Sequence, residues 1–521
     1  MAALAGAALA PASAVAQALS EAEVGAVVRE AALEAARLGL PATIAVVDGE
    51  GNALAVFRMD GAPVASVVEG QPARPVAGGC GEQGLEGLAL PAELAALSKA
   101  GTGALLSSTG HAFSTRTAAF VVQQNFPPGV ELTPGGAFFG LLLSSLPCTD
   151  VPGAALPLGL SGDPGGQPLY RRGVVVGGVG VEGDGRTGID VDPVDADLPP
   201  EEQAALAGAR AFAAPAAIRA ESVLLDGIRL PFANGETPAP ASPEAPRPPG
   251  VDLLAPRGAL PSRLLPAGLA AYPTRAGAAL SAAEVARILD QAARQTLTTS
   301  AAIRRPLRTF VRVNVAVVDA GGDVLGFFRN EDAPLFGIDA AVQKARTAAF
   351  FSGPGAAAVL GAAGLGRYLR DGLPFDGSVA YTSRAVGFLA QPFFPPGIVG
   401  TEPGPFSVGP PPEWSPFHPG LQLDLVCEAL AASWARAGAG ACTPIPGLGN
   451  GIALHAGGVP LYKDGRLAGA IGVSGDGPDQ DDLVASAGVV GFEAPPERRC
   501  DRLTARGVRL PYVKFPRHPE R

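Results

Sequence analysis

The feature that most constrains this chain is an internal duplication. Leu19-Ser-Glu-Ala-Glu-Val24 recurs as Leu280-Ser-Ala-Ala-Glu-Val285, and Ala45-Val-Val-Asp-Gly-Glu-Gly51 recurs as Ala316-Val-Val-Asp-Ala-Gly-Gly322. Phe57-Arg-Met-Asp-Gly-Ala-Pro63 matches Phe328-Arg-Asn-Glu-Asp-Ala-Pro334. Arg116 with Pro127-Pro-Gly129 matches Arg384 with Pro395-Pro-Gly397, and Cys148-Thr-Asp-Val-Pro-Gly153 matches Cys442-Thr-Pro-Ile-Pro-Gly447. Gly165-Gly-Gln-Pro-Leu-Tyr170 matches Gly457-Gly-Val-Pro-Leu-Tyr462, and Gly227-Ile-Arg-Leu-Pro-Phe232 matches Gly507-Val-Arg-Leu-Pro-Tyr512. Seven blocks in one order require two homologous halves, read as domains over 18–233 and 279–521.

The segment 234–278 between them is rich in proline. Pro-Ala-Pro-Ala-Ser-Pro-Glu-Ala-Pro favours polyproline II and reads as a semi-rigid spacer. Glycine and proline are abundant throughout, 70 and 52 of 521 residues, while aromatic residues are 6%. That composition excludes coiled coil, and the absence of a three-residue glycine period excludes collagen. The net charge of −10 argues against a nucleic-acid partner. No apolar run is long enough for a membrane span. Residues 1–17 are short and apolar and carry Ala14-Val15-Ala16, a small-residue cleavage pattern, although a basic start is missing. They are read as a signal peptide, placing the protein in the periplasm or outside the cell.

Both halves have the same local pattern. Ser20 and Glu23 predict a capping box opening a helix that stops before Gly39 and Pro41. Two β-runs flanking Asp48-Gly-Glu-Gly-Asn52 predict a hairpin. A helix comes next over about 91–107, then a strand near 118–123. A second hairpin turns at Arg171-Arg-Gly173, with its counterpart at Lys463-Asp-Gly465, and a last helix covers about 200–212 or 480–490. The outcome is an α+β fold: two domains, each a five-stranded, mainly antiparallel sheet covered by helices.

Several of these motifs together resemble the GlcG/HbpS family. They are Ser-x-Ala-Glu-Val, the Val-Val-Asp-x-x-Gly hairpin, Phe-Arg-Met-Asp-Gly-Ala, Gly-Gly-Val-Pro-Leu-Tyr and the strand Gly469-Ala-Ile-Gly-Val-Ser-Gly475 with the aspartates of 479–482 after it. The resemblance implies a profilin-like α/β sandwich in each half, a haem or related tetrapyrrole ligand, and an oligomeric, often extracellular protein. The chain departs from a single-domain member by its duplication and by insertions at about 64–97, 130–164 and 398–456.

A haem iron needs an axial donor such as His, Met, Cys or Tyr. The candidates are His111 and His455, neither of them duplicated, and the duplicated Tyr170 and Tyr462. The counterpart of His455 is Asp163, and that of His111 is Val379. The duplicated pairs Arg58/Arg329 and Arg116/Arg384 could fork onto haem propionates or another carboxylate. Equally, they could hold internal carboxylates, and Lys99 and Lys344 also correspond. Gly178-x-Gly-x-x-Gly183 lies inside a strand and opens no helix, so it predicts close backbone packing and not a dinucleotide site. The run Asp184, Asp190, Asp192, Asp195 and Asp197 could supply oxygens to calcium, with helix-terminal carboxylates the plainer reading. No nucleophile elbow, zinc-protease helix or serine–histidine arrangement is present, so a hydrolase is not indicated.

Five cysteines include no C-x-x-C pair. Cys80–Cys148 and Cys427–Cys442, each within one half, are the expected disulfides, leaving Cys500. The sequence therefore predicts an exported haem-binding protein that is not an enzyme. A cofactor-free assembly protein is the alternative, and an enzyme acting on a small carboxylate through Arg58 and Arg116 is a weaker one.

Overall fold

A computed structural model describes residues 18–520 apart from 70–79, 81–83, 141–147, 153–155, 157–158, 191, 194, 265–266, 269–272, 411–412 and 436–439. The signal-peptide reading of residues 1–17 falls outside the described residues.

The first half opens with α1 (Glu21–Arg37), whose N-terminus carries the capping box: Ser20 accepts from the Glu23 amide and Glu23 accepts from the Ser20 amide. Strands β1 (Thr43–Asp48) and β2 (Ala53–Met59) form the first hairpin. Helices α2 (Ala92–Leu105) and α3 (Thr115–Val122) come next, then the second hairpin, β3 (Gly166–Arg171) and β4 (Val174–Glu182), and α4 (Pro200–Ala209). Within 234–278 lies β5 (Gly250–Leu254). The second half repeats the order with α5 (Ala282–Gln295), β6 (Val313–Asp319), β7 (Val324–Arg329), α6 (Gly337–Ser352), α7 (Ser383–Leu389), β8 (Gly458–Lys463), β9 (Arg466–Gly475) and α8 (Pro478–Gly488).

The first sheet has the order β5-β2-β1-β4-β3 and the second the order β7-β6-β9-β8. Every neighbouring pair in both sheets is antiparallel. In the first half, α1 and α4 pack together on one face around Val28, Ile44, Val46 and Phe57. On the other face, α2 packs against Ala45, Val47 and Val56. This is the α/β sandwich expected. Helix α2 lies almost directly on β4, because a Cβ at Gly178 or Gly180 would meet the carbonyl oxygens of Ala100 and Ala96 at 2.0 and 2.1 Å. The glycine pattern in that strand is thus a packing device.

Three expectations change. The stretch near 118–123 is the helix α3 and not a strand, opened by Ser114, whose side chain accepts from the Thr117 amide. The proline-rich segment is more than a spacer: β5 pairs with β2, with Val251 opposite Arg58, and supplies the fifth strand. Arg29 on α1 holds the same segment through the carbonyls of Ser242 and Ala245. Farther on, the amides of Gly268 and Arg275 donate to Arg329 and Leu325 on β7, and the second sheet has four strands among the described residues.

The third change is the cysteine pairing. The disulfides are Cys80–Cys427 and Cys148–Cys442, both between halves, and Cys500 is buried and free. The insertions that carry these cysteines reach across to the other half instead of folding back on their own. Beside the second bond, Arg346 of α6 pairs with Asp150 of the first half at 2.7 and 3.0 Å.

Candidate functional site

The duplication builds one polar site in each half at the same place in the fold. In the first half, Lys99 on α2 points at the end of β4 and the first turn of α4. Its ammonium lies 2.6 Å from Asp163, 2.8 Å from Glu182 and 2.5 Å from Glu201, and its side chain is fully buried. The three carboxylate oxygens lie within 4.8 Å of one another, a spacing that could hold a metal ion, and Lys99 already supplies a cation there. Burial pushes the Glu182 carboxyl up to about 7 against the opposing pull of Lys99. The insertion after Pro63 caps this site: Ser66 donates to Glu182 at 2.6 Å.

In the second half the equivalents are Lys344, His455, Ser474 and Asp481. Lys344 keeps one carboxylate, Asp481, at 2.8 Å and donates to the Val473 carbonyl at 2.8 Å. Burial lifts the Asp481 carboxyl to about 6, opposed by Lys344. In the second half, Pro334 runs directly into α6 with no counterpart to this insertion. First-half residues Phe113, Phe138 and Leu225 cover the site instead, enclosing an apolar chamber of about 40 Å³.

His455 lies where this chamber meets a much larger cleft of about 860 Å³ between the halves. The first half contributes Phe126, Phe139 and the turn around Asp226, and the second Phe388, Arg384 and Lys514. Burial, then the Lys344 charge, push the His455 imidazole down to about 3, so it is neutral in ordinary buffers. Its Nε2 is buried and makes no well-formed hydrogen bond, while the backbone of Phe138 and Phe139 beside the ring weakly opposes the downward shift.

The other candidates are placed elsewhere or already engaged. Arg116 is fully buried and closed by Glu202, Asp190 and Asp197 at 2.9, 2.8 and 2.8 Å, leaving its fork no face for a ligand. Two of the aspartates considered for calcium are therefore its partners. Arg384 borders the cleft, but Asp482 and Asp479 hold it at 2.5 and 2.7 Å. Arg58 and Arg329 lie in β2 and β7 and line neither cavity. The Tyr170 hydroxyl is buried between the carbonyls of Ser108 and His111 at 2.7 and 2.8 Å. Tyr462 is buried in the second-half core. The His111 Nδ1 lies 2.9 Å from Ser108 Oγ, and its ring tilts against Phe113 at 4.7 Å. Of the eight residues proposed from sequence, the structure brings His455 and Arg384 to the cleft. The carboxylates around Lys99, and the first-half cover over Lys344, were not foreseen. The alignment of Asp163 with His455 was the available clue.

Residues 289–384 and 428–490 match the family model described as haem degrading protein HbpS-like. The match lies wholly within the second half of the chain. No curated protein matches it. Among solved structures, protein ORFY of Klebsiella pneumoniae is 20% identical over 40% of this chain and 97% of its own, with a TM-score of 0.24. A PduOC:heme complex is 17% identical over 42% of this chain and 97% of its own, TM-score 0.22. A double mutant of HbpS from Streptomyces reticuli is 22% identical over 41% and 96%, TM-score 0.22. Each spans about the length of one half. The HbpS-like match covers Lys344, Arg384 and His455 but ends before Lys514, and it passes over 385–427, which includes Cys427 of the second-half insertion.

Proposed function

We propose that this chain binds haem or a related tetrapyrrole in the cleft between its halves, with His455 offering the axial nitrogen. The observation that carries this reading is the buried, neutral His455 imidazole, its Nε2 without a well-formed hydrogen bond, at the edge of a cleft of about 860 Å³. Ligand pockets commonly span roughly 300–1,000 Å³, and the 40 Å³ chamber is too small for a ring of this size. An iron ligand must be unprotonated, and burial beside Lys344 keeps the imidazole neutral. Phe126, Phe139 and Phe388 give the cleft apolar walls that exclude water from the ring. A bound haem would supply an iron centre to which the protein contributes its donor and surroundings. The two disulfides suit an oxidising compartment, which supports export.

Haemin titration tests the reading. A Soret band saturating at one haemin per chain is expected, lost in His455→Ala and retained in His111→Ala. No spectral change in the native protein sinks the proposal and favours the alternative, a cofactor-free assembly role.

A further inference from the structure

The two halves diverge immediately after their last short hairpin. In the first half, the Asn234 amide donates to Glu202 at 2.8 Å. In the second, the equivalent Lys514 amide donates to Asp482 at 2.9 Å. The backbone anchor is the same, but the side chains are not. The first half continues Asn234-Gly-Glu-Thr237, and the second continues Lys514-Phe-Pro-Arg517. Lys514, Phe515 and Arg517 all line the cleft. The end of the segment is tied down where the Ser300 amide donates to the Pro519 carbonyl at 2.6 Å.

This segment places two cations on the rim of the cleft in a protein of net charge −10. The acidic groups lining the same space are Asp226 and Asp479. Asp479 is already shared by Arg384 and by Lys514, at 2.7 and 2.9 Å. The Lys514 side chain is nevertheless 64% exposed, so its ammonium retains donors for a ligand. Arg384, the other arginine lining the cleft, is spent on Asp479 and Asp482, which leaves Lys514 and Arg517 to meet an anionic ligand.

We infer that Lys514 and Arg517 form an anion clamp that selects ligands carrying carboxylates on the side facing residues 514–517. The inference rests on the cleft being the ligand site and adds the chemistry that orients the ligand. Guanidinium and ammonium groups bind carboxylates through charge-assisted hydrogen bonds, which a neutral ester cannot accept with equal strength.

The test uses metal-free protoporphyrin and its dimethyl ester, which share a ring and differ in their carboxylates, read by porphyrin fluorescence. Without iron, His455 ligation plays no part. The native protein is expected to prefer the diacid by roughly tenfold, a preference that shrinks in high salt. The double variant Lys514→Asn/Arg517→Thr, which copies the first half, is expected to bind both forms with the native ester affinity. Because both side chains are exposed and the Lys514 anchor uses the backbone, the variant should keep the native circular dichroism spectrum. Equal binding of both forms by the native protein overturns the clamp and leaves the cleft reading standing, as does a diacid preference that survives in the double variant. Binding of neither form overturns the clamp, while the haemin titration decides the cleft reading separately.

Discussion

Cys148 and Cys442, equivalent positions of the two repeats, are bonded to each other, with Cα atoms 4.8 Å apart. A residue meets its own counterpart only near the two-fold axis of a pair. The duplicated chain is thus joined as an internal pseudo-dimer, with a covalent bond close to its local axis. Cys80–Cys427 joins the halves a second time, between positions that are not equivalent.

Cleavage of the connecting segment should therefore leave the halves attached. With a protease site engineered between 236 and 246, the cut protein is expected to run as one band without reductant and as two bands with it. Two bands without reductant would contradict both cross-half bonds.

Lys99 is the cation facing three carboxylates, Asp163, Glu182 and Glu201, and Lys344 faces one, Asp481. Removing one partner of a buried ion pair costs about 3–5 kcal/mol, because the remaining charge stays buried. Lys99→Met should reach that range in urea unfolding, and Lys344→Met should cost less. Acidification to pH 5 should narrow the difference by protonating the stranded carboxyls. Equal costs at pH 8 would argue against the Lys99 cluster.

The Glu182 carboxyl titrates near 7 in the fold and near 4.5 when unfolded. The folded state holds its proton more tightly. The stability this group contributes is fully present below about pH 4.5 and is lost as the pH rises through about 7. The loss is on the order of 3 kcal/mol. Glu182→Gln should flatten that part of the stability profile, measured by urea midpoints at pH 5 and pH 8. An unchanged slope would refute the assignment.

Gly387 on α7 faces the backbone that carries His455. A Cβ there would lie 1.9 Å from the Leu454 carbonyl oxygen. Gly387→Ala should shift Leu454, weaken haemin binding roughly tenfold and cost about 1–3 kcal/mol. Gly361 is the control: a Cβ there meets nothing within 4 Å, and its alanine variant should be neutral or slightly stabilising with native haemin affinity. Matching behaviour of the two variants would remove the link between α7 and the site.

Tyr170 is a structural tie. Tyr170→Phe removes its hydrogen bonds to Ser108 and His111 and should cost about 1 kcal/mol in unfolding experiments. Its haemin spectrum should match the native one; a shifted Soret band would return Tyr170 to the ligand set.

Local structure was largely legible in the chain. Ser20–Glu23 and the hairpin turns depend on residues a few positions apart, so sequence spacing contains them. The run 118–123 reads as a strand from sequence because a short apolar stretch fits a buried strand or a buried helix equally well, and the Ser114–Thr117 cap makes it a helix. The site was half legible. His455 stands out as a histidine where the first repeat has Asp163, but its burial beside Phe138 and Phe139 depends on how the halves pack.

The sequence by itself determined the duplication, the family resemblance, the α+β class and which positions correspond. These arise from periodicity, turn chemistry and residue identity, all written locally along the chain. Only the tertiary structure decided which half completes which site, which cysteines meet, and that the proline-rich segment becomes a strand. Those outcomes depend on surfaces far apart in sequence that meet once both sandwiches have formed. Phe113 and Phe138 of the first half covering Lys344 and His455 of the second is such a meeting.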